Sequence, residues 1–82
     1  MVRVKILLFA RLKDIAGGGE FERSFASGST VDSVWAALAD EFPDLAVHRG
    51  AVSAAVNAEF APFSAPVHDG DEVAFLPPVS GG

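Results

Sequence analysis

"DGDEVAFLPPVSGG", residues 69–82, places a turn, a strand and a tail in direct succession. Asp69 and Gly70 suit the turn, because an Asp side chain can bond nearby backbone and glycine tolerates positive φ. Beyond them Val73 and Phe75 point one way while Ala74 and Leu76 point the other, which is strand periodicity. Pro77 and Pro78 stiffen the approach to the terminus. Where the strand over residues 72–76 sits relative to the first strand decides the fold.

The surrounding elements narrow the choice. "STVDSVWAALADEFP", residues 29–43, is the clearest helix: Val31, Val34, Trp35, Leu38 and Phe42 share one stripe. Ser29 or Thr30 can cap its start. Asp32 in the first turn complements the helix dipole. Pro43 stops it by disfavouring helical geometry in the residue before it. At the amino end Val2, Val4, Ile6 and Leu8 alternate with Arg3, Lys5, Leu7 and Phe9. This strand has one apolar face and a second face that begins charged and ends in Leu7 and Phe9. A helical turn over Leu12 to Ala16 is expected to end at the run Gly17-Gly18-Gly19. "EFERSFA" (residues 20–26) reads as a second strand, antiparallel to the first. "DLAVHRG" (44–50) reads as irregular, with room for a short turn of helix. "AVSAAVN" (51–57) reads as a third strand with Val52, Ala54 and Val56 on one face. The prolines of "AEFAPFSAPV" (58–67) limit it to a short edge strand or a loop. One helix over a mixed sheet is an α+β domain.

Bulk properties exclude several functions. Eighty-two residues make one domain, and a composition half hydrophobic and 21% charged is globular. Six Lys plus Arg against eleven Asp plus Glu give a net charge of -5. A nucleic-acid partner is not expected, because no basic stripe can form; an acidic surface suits a basic protein partner. The short apolar stretch at the start is too brief to span a bilayer and lacks a signal-peptide cleavage pattern. The expected compartment is the cytoplasm, with no membrane partner. Without cysteine there is no disulfide, thiolate metal site or cysteine nucleophile.

Side-chain chemistry is sparse. His48 and His68 stand alone, so no metal site is expected. Asp69, Asp71 and Glu72 form an acidic turn without the ligand spacing of a calcium loop. The glycine run lacks the Lys and Ser/Thr of a phosphate loop. Arg11 and Lys13 read as a solvated basic patch, and Trp35 as core.

The remaining reactive group is the terminal carboxylate. Val79, Ser80, Gly81 and Gly82 span about 14 Å when extended. Gly81 and Gly82 lack Cβ and can thread a narrow channel. Capturing such a tail costs on the order of 4–8 kcal/mol of chain entropy, reduced by the restricted backbone at Pro77 and Pro78.

"ILLFARLKDIAG", "AVNAEF" and "DGDEVAFLPPVSGG" occur here in the order they have in a known family. Through them the chain resembles the small, sulfur-carrying subunits of molybdopterin synthase, the MoaD family of ubiquitin-like sulfur carriers. The ending "FLPPVSGG" is closer to this branch than to the thiamine-pathway carrier. The resemblance implies a ubiquitin-like β-grasp over residues 1–78, with first and last strands as central neighbours, and a flexible Gly-Gly tail over residues 79–82. It implies that an ATP-dependent adenylyltransferase activates the Gly82 carboxylate and that a sulfur donor protein converts it to a thiocarboxylate. The tail (Val79, Ser80, Gly81 and Gly82) would then enter the active site of the synthase large subunit and deliver sulfur to cyclic pyranopterin monophosphate. The chain itself would bind no cofactor; ATP is used by the activating enzyme. It would be a non-catalytic carrier in a heterotetramer, with the catalytic side chains on the large subunit. Phe9, Phe60 and Leu76, with Pro77 and Pro78, are the expected partner-binding residues. Two other readings stand beside this one. A related carrier would serve tRNA thiolation or protein modification, and a β-grasp interaction module would have an inert tail.

Overall fold

The computed structural model describes residues 1–78. In chain order the elements are β1 (Val2–Leu8), α1 (Ala10–Ala16), β2 (Glu20–Phe25) and α2 (Val31–Glu41). A 3₁₀ segment (Pro43–Ala51), β3 (Ser53–Val56), β4 (Glu59–Ala61) and β5 (Glu72–Leu76) follow. The strands form one sheet in the order β2-β1-β5-β3-β4. β1 and β5 are parallel central neighbours, with Leu8 level with Phe75. All other pairs are antiparallel. This is the ubiquitin-like β-grasp, and it follows from the position of the strand 72–76.

Alternation in the two central strands fills the core. Val4, Ile6, Val73 and Phe75 are fully buried, and Leu8 nearly so. α2 lays Val31, Val34, Trp35 and Leu38 over them. Trp35 meets Phe75 edge to face, with ring centroids 5.1 Å apart. Each such large side chain contributes about 1.5–3 kcal/mol by leaving water.

Of the two possible caps for α2, Thr30 is the one used. The Ser33 N–H donates to Thr30 Oγ1 at 3.3 Å, and the Thr30 N–H donates to Ser33 Oγ at 3.0 Å. The first-turn N–H groups of Val31 and Asp32 donate to the carbonyls of Ala65 and Phe63. Thus the segment after β4 completes the helix start, which no local sequence rule reveals. Arg49 fastens it further: its guanidinium lies 3.5 Å from the Phe63 ring centroid and 3.2 Å from Asp32 Oδ1.

Three details differ from the sequence reading. Phe42 caps α2 rather than extending it, and lies half-buried with its ring 5.7 Å from that of Phe21. The stretch read as irregular, with room for one short helical turn, is a longer 3₁₀ segment that begins at Pro43, whose fixed φ suits a helix start. Leu45 is its buried anchor. α1 begins two residues early, at Ala10, whose φ is +52°. Gly17, at φ +75°, closes α1 in the left-handed region.

Candidate functional site

The helices cover one face of the sheet, and the opposite face carries a cross-strand row. Leu7 pairs with Ala74, Ala74 with Ala55, and Ala55 with Phe60. At about 4.8 Å per strand the row is roughly 14 Å wide. Leu76, level with Ser53, extends it toward the carboxyl end. Phe9 follows the last residue of β1 and so stands level with Leu76. Phe60 is 80% exposed and Phe9 44% exposed. Apolar side chains this open on one sheet face are what interfaces use.

The other half of the face is charged. Lys5 pairs across the sheet with Glu22 and with Glu72. Arg3 Nε lies 2.7 Å from Glu22 Oε1, and Lys5 Nζ lies 3.6 Å from Glu20 Oε2. The hydrogen bond from Arg3 holds the Glu22 carboxyl below its usual pKa. This half is therefore largely self-neutralised, and the apolar half is left as the part without partners of its own chemistry.

The turn that aims β5 is tied down by side chains. The Asp71 carboxylate accepts from the His68 N–H at 2.7 Å and from Asn57 Nδ2 at 3.0 Å. Asn57 Oδ1 accepts in turn from the Glu72 N–H. The Asn57 bond, then the His68 N–H, lowers the Asp71 pKa. Asp69 does not bond within its own turn: its Oδ1 accepts from the Arg3 N–H at 2.8 Å, linking the turn to β1. These bonds fix the start of β5.

The structure places the sequence-predicted residues as follows. Phe9, Leu76 and Phe60 share the open face. Pro77 is half-buried and Pro78 exposed at the end of β5. Val79, Ser80, Gly81 and Gly82, on which the tail-insertion and thiocarboxylate expectations rest, lie outside the described residues. Among the described residues no cluster of His, Asp or Glu is arranged as a metal site, and no helix is long and apolar enough to cross a membrane.

Sequence reasoning missed Ala55, which joins Phe60 to the central strands. Its signal was available in the parity of the third strand, where Ala55 opposes Ala54. It also missed the cleft between α1 and the 3₁₀ segment beside the end of β5. Arg11, Leu12, His48, Ala51, Pro77 and Pro78 meet there around a volume of ≈ 400 Å³. Those residues come from three separated stretches, so only the fold brings them together.

Residues 6–82 match the model of the ThiS family. A molybdopterin synthase sulfur carrier subunit from Arabidopsis thaliana is 40% identical over 99% of this chain and 84% of its own. One from Escherichia coli is 38% identical over 96% and 99% respectively. The small archaeal modifier protein 1 of Methanosarcina acetivorans superposes with a TM-score of 0.85 at 31% identity, over 100% of this chain and 98% of the other.

Proposed function

The chain belongs to the ThiS family, and from that premise we propose that it is the sulfur carrier subunit of a molybdopterin synthase. The observation that carries this reading is whole-length identity of 38–40% to two proteins of that description. The fold supports it. An open sheet face with Phe9, Leu76 and Phe60 lies beside the strand that delivers the Gly-Gly tail.

The chemistry resides in the Gly82 carboxylate. A carboxylate is a poor electrophile. Attack on the α-phosphate of ATP within an adenylyltransferase expels pyrophosphate and gives an acyl-adenylate. A persulfide donor, with a thiol reductant, then displaces AMP and leaves the thiocarboxylate. The tail enters the large subunit, and its sulfur attacks the cyclic pyranopterin monophosphate precursor. Residues 1–78 hold the tail at a defined exit and dock the partner. These encounters take place in the cytoplasm.

The test is incubation with an activating enzyme, ATP and a sulfur donor, followed by intact mass measurement. The expected product has one oxygen replaced by sulfur. Removing Gly82, or appending one residue, should abolish the gain and leave the domain folded. Dithiolene formation by the extended protein would overturn the proposal.

A second reading is favoured by one observation, the similarity to the small archaeal modifier protein 1. Here the same activated tail would be joined to lysines of other proteins. Lysine conjugates in cells, without a complex with a synthase large subunit, would select it.

A further inference from the structure

β4 carries Phe60 into the open row, yet little in β4 itself holds it there. The strand is three residues long and pairs with β3 alone, at the edge of the sheet. None of its side chains is buried, and Phe60 is 80% exposed. Beyond its far end the chain is fastened through Phe63, whose carbonyl accepts from the Asp32 N–H. Its near end follows the turn Asn57-Ala58, where φ is +50° and then +70°. Left-handed backbone is tolerated by Asn but costly for Ala58, which has a Cβ and no polar side chain to offset it. The turn therefore needs a fastening from outside itself.

Asn57 provides that fastening. Its N–H donates to the Glu72 carbonyl at 2.8 Å, and its Oδ1 accepts from the Glu72 N–H at 3.0 Å. Its Nδ2 donates to Asp71 Oδ1 at 3.0 Å, a bond strengthened by the carboxylate charge. Asp71 is itself held, since its Oδ2 accepts from the His68 N–H and its carbonyl from the Lys5 N–H. One residue of an edge hairpin is thus tied to the start of a central strand. Both ends of the amide are in use, the donor toward a carboxylate and the acceptor toward an N–H. A carboxylate of the same shape lacks the donor and could not make both bonds.

We propose that Asn57 is a positioning residue for docking: it holds the β3–β4 hairpin against β5, so that Phe60 stands in the apolar row before the synthase large subunit arrives. The proposal rests on the sulfur-carrier reading and deepens it. An exposed aromatic on a short edge strand would otherwise be ordered only on binding, and that ordering would be subtracted from the affinity. Phe60 pairs with Ala55, which continues the row to Ala74 and Leu7. A hairpin free to tilt would break the row at this end and leave the central strands unchanged.

The test is a double-mutant cycle on the full chain. Affinity for its cognate large subunit is measured by calorimetry, and urea midpoints are measured in parallel. Asn57→Gly removes both side-chain bonds and keeps left-handed backbone accessible. It should bind about fivefold more weakly than the parent, but change affinity by less than about twofold when Phe60→Ser is already present. Its effect on the urea midpoint should be the same in both backgrounds. A purely structural role would instead weaken binding equally with and without Phe60. Asn57→Asp keeps the shape and the bond from the Glu72 N–H, but sets a carboxylate against Asp71. It should also weaken binding, and adding Asp71→Asn should restore it, because the amide then donates across the same bond from the other side. Equal loss of affinity in the two Phe60 backgrounds would overturn the proposal. So would unchanged affinity in both variants at position 57, failure of the exchanged pair to restore binding, or Phe60→Ser binding as tightly as the parent. If the parent chain neither binds the large subunit nor is loaded by the activating enzyme, the sulfur-carrier reading fails and this proposal falls with it, a result distinct from any effect of the variants.

Discussion

Trp35 and Phe75 meet at 65° with ring centroids 5.1 Å apart, joining the middle of α2 to β5. Phe75 is fully buried, and Leu76, the next residue, faces the opposite side of the sheet. The residue that locks β5 into the core thus directly precedes one that faces the open side of the sheet.

Phe75→Ala should cost about 3–5 kcal/mol, combining lost transfer energy with a cavity under Trp35. That is a large share of the roughly 5–15 kcal/mol that holds a domain together. Urea unfolding followed by the fluorescence of Trp35, the sole tryptophan, measures it. A loss below about 1 kcal/mol would mean that the two rings are not the centre of the core.

Ala58→Gly should stabilise the domain. Asn57 and Ala58 form the two-residue loop between Val56 and Glu59, with φ of +50° and +70°. A left-handed conformation costs a residue with Cβ about 1–2 kcal/mol, and glycine brings about 0.5–1 kcal/mol of chain entropy against it. The expected net gain is about 0.5–1 kcal/mol, read as a higher urea midpoint. An unchanged or lower midpoint would show that the turn is not strained.

That turn also shows why some of the fold escaped the sequence. A two-residue hairpin announces itself by Asn-Gly, and here the glycine is replaced by Ala58. The strand 51–57 was legible, but the segment after it could be read only as a short edge strand or a loop, and the turn joining them was not read. Period-two and helical patterns made β1, β5 and α2 readable, because each buries one face completely. The seating of residues 62–67 on the start of α2 was hidden, since it depends on backbone bonds from Val31 and Asp32 to carbonyls more than thirty residues away. For the site, strand parity placed Phe9 and Leu76 on the open face. Phe60 came from resemblance, and its row with Ala55 required the register of two further strands. The cleft beside Pro77 was illegible, because Arg11 and His48 converge only after folding.

Acid should weaken the domain through Asp71. Its carboxylate is mostly buried, with 15% of the side chain exposed. The Asn57 and His68 hydrogen bonds hold its pKa below its ordinary value of 3.8, and burial opposes them. On acidification the unfolded chain takes up this proton first. The stabilisation is therefore complete above the ordinary value and is lost as pH falls through the depressed one. Asp71→Asn should be less stable at neutral pH and should lose less stability as pH falls below the ordinary carboxylate value. Parallel curves for the two proteins in urea titrations across that range would exclude Asp71 as the cause.

The open face makes the sharpest separation between folding and docking. Leu76 and Phe60 point away from the core, so Leu76→Asp and Phe60→Ser should each change stability by less than about 1 kcal/mol. Affinity is another matter. A charge placed in the apolar row would be desolvated against the partner with nothing to pair it, and binding should weaken more than about tenfold for Leu76→Asp. Phe60, at the far end of the row, should matter less per atom unless the partner spans all four strands. Calorimetry with the synthase large subunit, set against urea midpoints for the same variants, reads both quantities. Affinity that falls in proportion to stability would point to unfolding, and affinity unchanged in both variants would remove the open face from the docking surface.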